Sequence, residues 1–230
     1  MNARIIIKTL GVLAILMGLA IGACWLYSWI VVKTEGGNEL NLSAYKALGI
    51  SAGTIIGIGF LMYLTGIRCK HELLRREAII IVGLSWISVS LLGALPYWLC
   101  EPGLGVFDSI FESVSGFTTT GSTIMNDIEA FPKAILLWRS VTQWLGGIGI
   151  LVVFVSVLSF LGVGSRSIMQ QESSLNISDS GASRIRDVAF ILLKVYLTLT
   201  AVCLLGLILL GMPLFEAVCH AMCTLSLIHI

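Results

Sequence analysis

Along most of this chain the apolar positions neither alternate nor keep to one helical face. They run all round in long stretches, a pattern that predicts helices buried in an apolar medium. Five such stretches stand out, at about 9–32, 47–67, 78–99, 134–161 and 188–211. Each is near the ~20 residues needed to cross a bilayer core as a helix. The link between the third and fourth, about 100–133, breaks the pattern. Its first part, "GVFDSIFESVSGF", places Val106, Phe107, Ile110, Phe111, Val114 and Phe117 as the apolar stripe of a short helix. Asp108 falls near the start, where a carboxylate can cap free N–H groups, and the helix is expected to end near Gly116. Thr118, Thr119, Thr120, Gly121, Ser122 and Thr123 follow without a charge or a proline.

A hydroxyl-rich segment between two apolar spans has two readings. One is an outer loop with a Ser/Thr-rich turn. The other is a re-entrant unit, in which a short helix dips into the membrane and an extended segment climbs out. Non-helical backbone at membrane depth is tolerated only where it lines a water-filled path or is buried in protein. A helix entering from outside would aim its partially negative C-terminus inward, favouring a cation. Thr118, Thr119, Thr120 and Gly121 would then offer backbone carbonyls in place of a hydration shell, with Gly121 free to adopt backbone conformations closed to other residues.

Composition agrees with the pattern: 57% of the 230 residues are hydrophobic, 12% are charged, and mean hydropathy is +0.98. Soluble domains carry about twice that charge, so the chain reads as an all-α, multi-pass membrane protein in contact with lipid. The net charge of +1 is uninformative, but its distribution is not. With the N-terminus in the cytoplasm, the inner segments hold Arg4, Lys8, Arg68, Lys70, Arg75, Arg76, Arg166, Arg184 and Arg186. The outer segments hold only Lys33, Lys46 and Lys133. That bias places the N-terminus inside. Glu101, Asp108, Glu112, Asp127 and Glu129 gather outside, with Lys133 the only basic residue near them, giving that mouth a cation-attracting field. "IGAC" at 21–24 resembles a lipoprotein cleavage box, but apolar helix continues to Val32, so the segment reads as an uncleaved span.

An internal repeat supports the re-entrant reading. "FDSIFESVSGFT" (107–118) aligns with "FEAVCHAMCTLS" (215–226) at a constant offset of 108, and each copy follows an outward-going span. Repeated span–short helix–span units are the sequence mark of a pore built by pseudo-symmetry. The offset pairs Gly121 with His229, and the closing "LSLIHI" (225–230) supplies no glycine. That hexapeptide is what translation of a transposon-end sequencing adapter would be expected to give. The authentic frame is therefore expected to end near Thr224 or Ser226, leaving an N-terminal fragment.

"FDSIFESVSGFTTTGST" followed by "LLWRSVTQWLGGIGILV" resembles the first pore domain of the Trk/Ktr/HKT potassium transporters, with the Trk-type membrane subunit as the nearest likeness. "GVGSR" (162–166) and "GMPLFEAVCHAMCTLS" (211–226) fit the cytoplasmic link and second pore helix, and the two spans before the pore unit favour Trk over Ktr. The resemblance implies four span–pore helix–filter–span units around one ion path, each filter carrying one glycine. It divides this chain into a two-helix domain (1–76), a first pore domain (77–165) and a truncated second one (166–230). It further implies K⁺ uptake across the bacterial inner membrane, homodimers, and a cytoplasmic nucleotide-binding regulatory subunit. By position Thr119 and Thr120 would give carbonyls to K⁺, flanked by Thr118 and Gly121. No organic cofactor is implied, and the chain alone is not expected to conduct.

The remaining residues have plainer readings. Gly146, Gly147 and Gly149 suit close packing against the pore helix or a flexible point near the pore. Arg139 suits snorkelling or pairing with Glu112, Asp127 or Glu129 more than ion contact, and Lys194 suits snorkelling. Glu112 either adds to the outer field or bonds neighbouring backbone. Trp138 and Trp144 read as packing, and His71 as part of a charged turn. Cys219, His220 and Cys223 share one helix and could ligate a metal, but buried small hydrophobes fit them better. No catalytic motif points to an enzyme and no basic patch with aromatics points to nucleic acid. The alternatives to K⁺ uptake are a family member that also passes Na⁺, and a non-conducting membrane scaffold or sensor.

Overall fold

The computed structural model describes residues 3–34, 36–66, 75–128, 130–161 and 180–226, with the side chains of 75–76, 151–161 and 180–187 excepted. The turn around Arg68, Lys70 and His71, the residue Glu129, the link 162–166 and His229 lie outside the described residues. So do the side chains of Arg75, Arg76, Arg184 and Arg186. The described residues contain eight helices and no strand: α1 (Ala3–Thr34), α2 (Glu39–Thr65), α3 (Arg75–Gly93), α4 (Leu95–Leu99), α5 (Val106–Phe117), α6 (Lys133–Leu161), α7 (Ser180–Leu209) and α8 (Leu214–Leu225). Ala3–Thr34, Glu39–Thr65, Glu77–Leu99 and Val188–Leu209 are long and apolar enough to cross a membrane. The helix α6 occupies the fourth predicted span. Their apolar outer faces are exposed, as at Leu16, Leu61, Ile79 and Leu205, which suits contact with lipid.

The chain divides into two compact units, Met1–Gln143 and Trp144–Ile230. In the first, α1 packs along α2 and against α3, α2 meets α4, and α5 lies against α3 and α4. Ile21, Leu48 and Ile55 are completely buried between the first two helices. In the second unit α7 packs on α8. There Trp144 donates its indole N–H to Thr200 (3.2 Å), and Tyr196 donates its hydroxyl to the Trp144 carbonyl (3.1 Å). A Cβ on Gly147 would lie 2.6 Å from the Tyr196 hydroxyl, so the glycine-rich turn of α6 makes its close approach to α7. The same Cβ would lie 3.4 Å from Ser226 Cα, at the C-cap of α8.

The third predicted span is continuous in hydropathy but broken in backbone, and Pro96 is the reason. Proline has no N–H and clashes with the preceding turn. Tyr97 and Trp98 both donate to the Ala94 carbonyl (3.1 Å each), so the Gly93 carbonyl loses the intrahelical donor that Tyr97 would have supplied. Trp138, fully buried on α6, donates its indole N–H to that carbonyl at 3.1 Å. The kink therefore leaves no orphan acceptor there, and it ties α3 to α6 beside α5. Trp138 also meets Phe117, at the end of α5, edge to face at 6.4 Å.

Candidate functional site

The short helix α5 ends one residue beyond Gly116, and its C-terminus shapes the segment that follows. Thr119 donates its N–H to Gly116 O (2.9 Å) and Thr120 donates to Ser115 O (2.9 Å). With Thr118 as C-cap this is the paired 5→2 and 6→1 bonding of a Schellman end. Such an end needs a left-handed residue at the position Thr119 fills, and its φ is +58°. Glycine is usual there. A β-branched residue with positive φ is a genuine outlier, and such strain concentrates at functional sites. Gly121 is left-handed too, with φ +71°. The segment thus turns twice within three residues. Its hydroxyls are drawn back onto the protein, since Thr118 donates to Val114 O (2.8 Å) and shares a hydrogen bond with Thr120 (2.9 Å). Among the described residues nothing donates to the carbonyls of Thr118, Thr119 or Thr120.

Behind the segment sits a buried ion pair. Glu112, one turn before the end of α5, is 1% exposed. It accepts from Arg139 Nε (2.6 Å), from the Thr123 hydroxyl (3.0 and 3.1 Å) and from the Ile124 N–H (3.2 Å). Arg139 Nη2 continues to the Gly121 carbonyl at 3.4 Å. Ser115 donates to the Ser122 carbonyl at 2.5 Å. Thus residues 121–124 are held at four points by side chains of α5 and α6. A carboxylate left in an apolar surround without partners is costly, and here all its partners are charged or strong donors.

Thr118, Thr119, Thr120 and Gly121 therefore lie together directly after α5, with Thr119 buried and Thr118 and Thr120 exposed. Along the apolar stripe of α5, Val106, Phe107, Phe111 and Val114 are exposed, Ile110 is half-buried and Phe117 is buried, while Ser109, Glu112, Ser113 and Ser115 opposite are buried. The polar face is the packed one because it carries the bonds to the segment. Asp108 lies in the first turn but makes no capping hydrogen bond among the described residues, and Gly105 is the N-cap. Of the two roles open to Glu112, the backbone bonds prevail, and its charge is spent on Arg139. A close approach also fixes α5 on α6: a Cβ on Gly116 would run into the Thr142 hydroxyl and lie 3.0 Å from its Cβ. The contribution of Ser115 and Thr142 was not read from the sequence. A small or hydroxyl residue in an apolar helix is the only signal they give.

The other candidates belong to the second unit. Lys194 is exposed on α7. Cys219 and Cys223 are half-buried and His220 is exposed on α8. Among the described residues no three His, Cys, Asp or Glu side chains form a group able to hold a metal.

Comparison with known proteins places this geometry in context. Residues 49–228 match the family model described as TrkH, cation transport protein. The chain is 34% identical to the Trk system potassium uptake protein TrkH of Halomonas elongata over 99% of its own length and 46% of that protein. It is 37% identical to the protein of the same name from Escherichia coli K12 over 75% of its length and 36% of that protein. The crystal structure of the potassium transporter TrkH from Vibrio parahaemolyticus superimposes with a TM-score of 0.78 at 31% identity, covering 96% of this chain and 42% of that one. The chain thus spans under half the length of these relatives. It belongs to the TrkH family of cation transport proteins, a family of membrane transporters and not of enzymes.

Proposed function

We propose that this chain supplies the opening part of a K⁺ uptake transporter of the bacterial inner membrane, with the Thr118–Gly121 segment as its first ion-coordinating strand. One observation carries the reading. A strained Thr119 and a left-handed Gly121 shape a run whose carbonyls at Thr118, Thr119 and Thr120 accept no hydrogen bond among the described residues. Backbone carbonyls held in this way replace a cation's hydration shell. Thr119 and Thr120 coordinate K⁺, with Thr118 and Gly121 flanking. The ion is cargo, and no organic cofactor takes part.

In this reading α3 to α6 form one span–pore helix–filter–span unit, and α7 with α8 begins a second. The chain divides at 1–76, 77–165 and 166–230, with its N-terminus in the cytoplasm. The names of the relatives support potassium as the ion. The assembled protein is a homodimer that answers to a cytoplasmic nucleotide-binding subunit. The test is growth of a K⁺-uptake-deficient bacterium on low K⁺ carrying the complete gene that encodes this chain. The parent restores growth and Gly121→Asp does not. Equal rescue by both would show that the segment is not the filter, and uptake that ignores K⁺ but follows Na⁺ would show that the ion is wrong.

A further inference from the structure

The pair Glu112–Arg139 offers more than cohesion. Burying two opposite charges is weak support for stability, because apolar residues of similar volume serve as well or better. What apolar residues could not do is hold a polar backbone at chosen points. Glu112 accepts from Thr123 and Ile124, and Arg139 reaches the Gly121 carbonyl. The three contacts bracket the outgoing leg of the segment, and they start from a carboxylate nearly two turns behind Thr118 and the guanidinium paired with it. The 108-residue offset puts His220, which is exposed, at the place of Glu112 in the second copy. The second copy therefore lacks the carboxylate that the first one uses.

We propose that Glu112 and Arg139 are positioning residues for the ion. The guanidinium holds the Gly121 carbonyl turned to itself, the carboxylate holds Thr123 and Ile124, and together they set the spacing of the Thr118, Thr119 and Thr120 carbonyls. Ion preference then depends on the pair. The inference rests on the filter reading above. It is tested in the complete gene product by measuring half-saturating K⁺, maximal uptake and K⁺-over-Na⁺ preference. Folded amount and melting in detergent are followed alongside. Glu112→Gln and Arg139→Lys keep shape and lose the charge pairing or the fork. Each raises half-saturating K⁺ about tenfold, the scale seen when a partner orienting a metal ligand is removed. Each also narrows ion preference, while maximal uptake and melting stay near the parent. Thr123→Val, which removes one donor to the carboxylate, shifts both in the same direction by less. It serves as the readout if Glu112→Gln does not accumulate. Phe111→Ala, on the exposed face of the same helix, changes neither. Parental half-saturation and preference in the folded variants would overturn the inference. A parent that takes up no K⁺ would overturn the filter reading itself, and this inference with it.

Discussion

At Thr119 the chain holds a β-branched residue where a helix end of this kind asks for glycine. A left-handed L-residue costs roughly 1–2 kcal/mol. Thr119→Gly is therefore expected to stabilise the folded protein by about 1 kcal/mol, less than the full strain because glycine loses more chain entropy on folding. Thermal unfolding in detergent measures it, and a loss of stability would mean that the Thr119 side chain holds more than it strains. Gly116→Ala works the other way. Its methyl group meets Thr142, and overpacking of this sort costs about 1–3 kcal/mol. Adding Thr142→Ala removes the nearer atom and should recover part of the loss. At this scale the sequence was only partly legible. The Thr-Thr-Thr-Gly run announced itself by polarity. The partner of Arg139 did not, because Glu112, Asp127 and Glu129 were all within reach along the chain and only folding selects among them. Nothing in residue type showed that Thr119 would carry the left-handed turn, since sequence propensity assigns that to glycine.

Among the elements, the five spans and the short helix were readable because unbroken hydropathy and an i, i+4 stripe survive without knowledge of tertiary contacts. The break between α3 and α4 was hidden, although Pro96 was in view, because hydropathy is blind to a missing N–H. The packed face of α5 was not legible, because the stripe marks a helix without saying what its polar side bonds, and that side packs where Glu112 and Ser115 hold residues 122–124. The kink makes a sharp prediction. Trp138→Phe leaves the Gly93 carbonyl buried without a donor and should cost about 1–3 kcal/mol. In a Pro96→Ala background the helix can run on and Tyr97 can donate to Gly93, so the same change should cost less. The double-mutant cycle is expected to show a coupling of about 1 kcal/mol, and additivity would contradict the account of the kink.

For the whole molecule, the distribution of Lys and Arg makes the orientation testable. If the N-terminus is cytoplasmic, as the Lys and Arg bias predicts, alkaline-phosphatase fusions after Gly103 should be active and fusions after His71 inactive. The reverse pattern would invert the reading of the acidic mouth. The repeat was legible as a constant offset, and α8 (Leu214–Leu225) forms where the second copy of α5 belongs. The chain spans under half of its relatives, and the proposed K⁺ uptake is assigned to the complete gene product. Expressed by itself, residues 1–230 should leave a K⁺-uptake-deficient strain unrescued, whereas the complete gene restores growth.

The central claim is that ions meet the backbone of this segment. The direct measurement is anomalous scattering from Rb⁺ or Tl⁺ in crystals of the complete gene product. The account predicts a peak about 3 Å from the carbonyl oxygens of Thr119 and Thr120, with the Gly121 carbonyl turned to Arg139. An occupied ion path whose peaks lie away from these carbonyls, or an ion on the threonine hydroxyls instead, would contradict it.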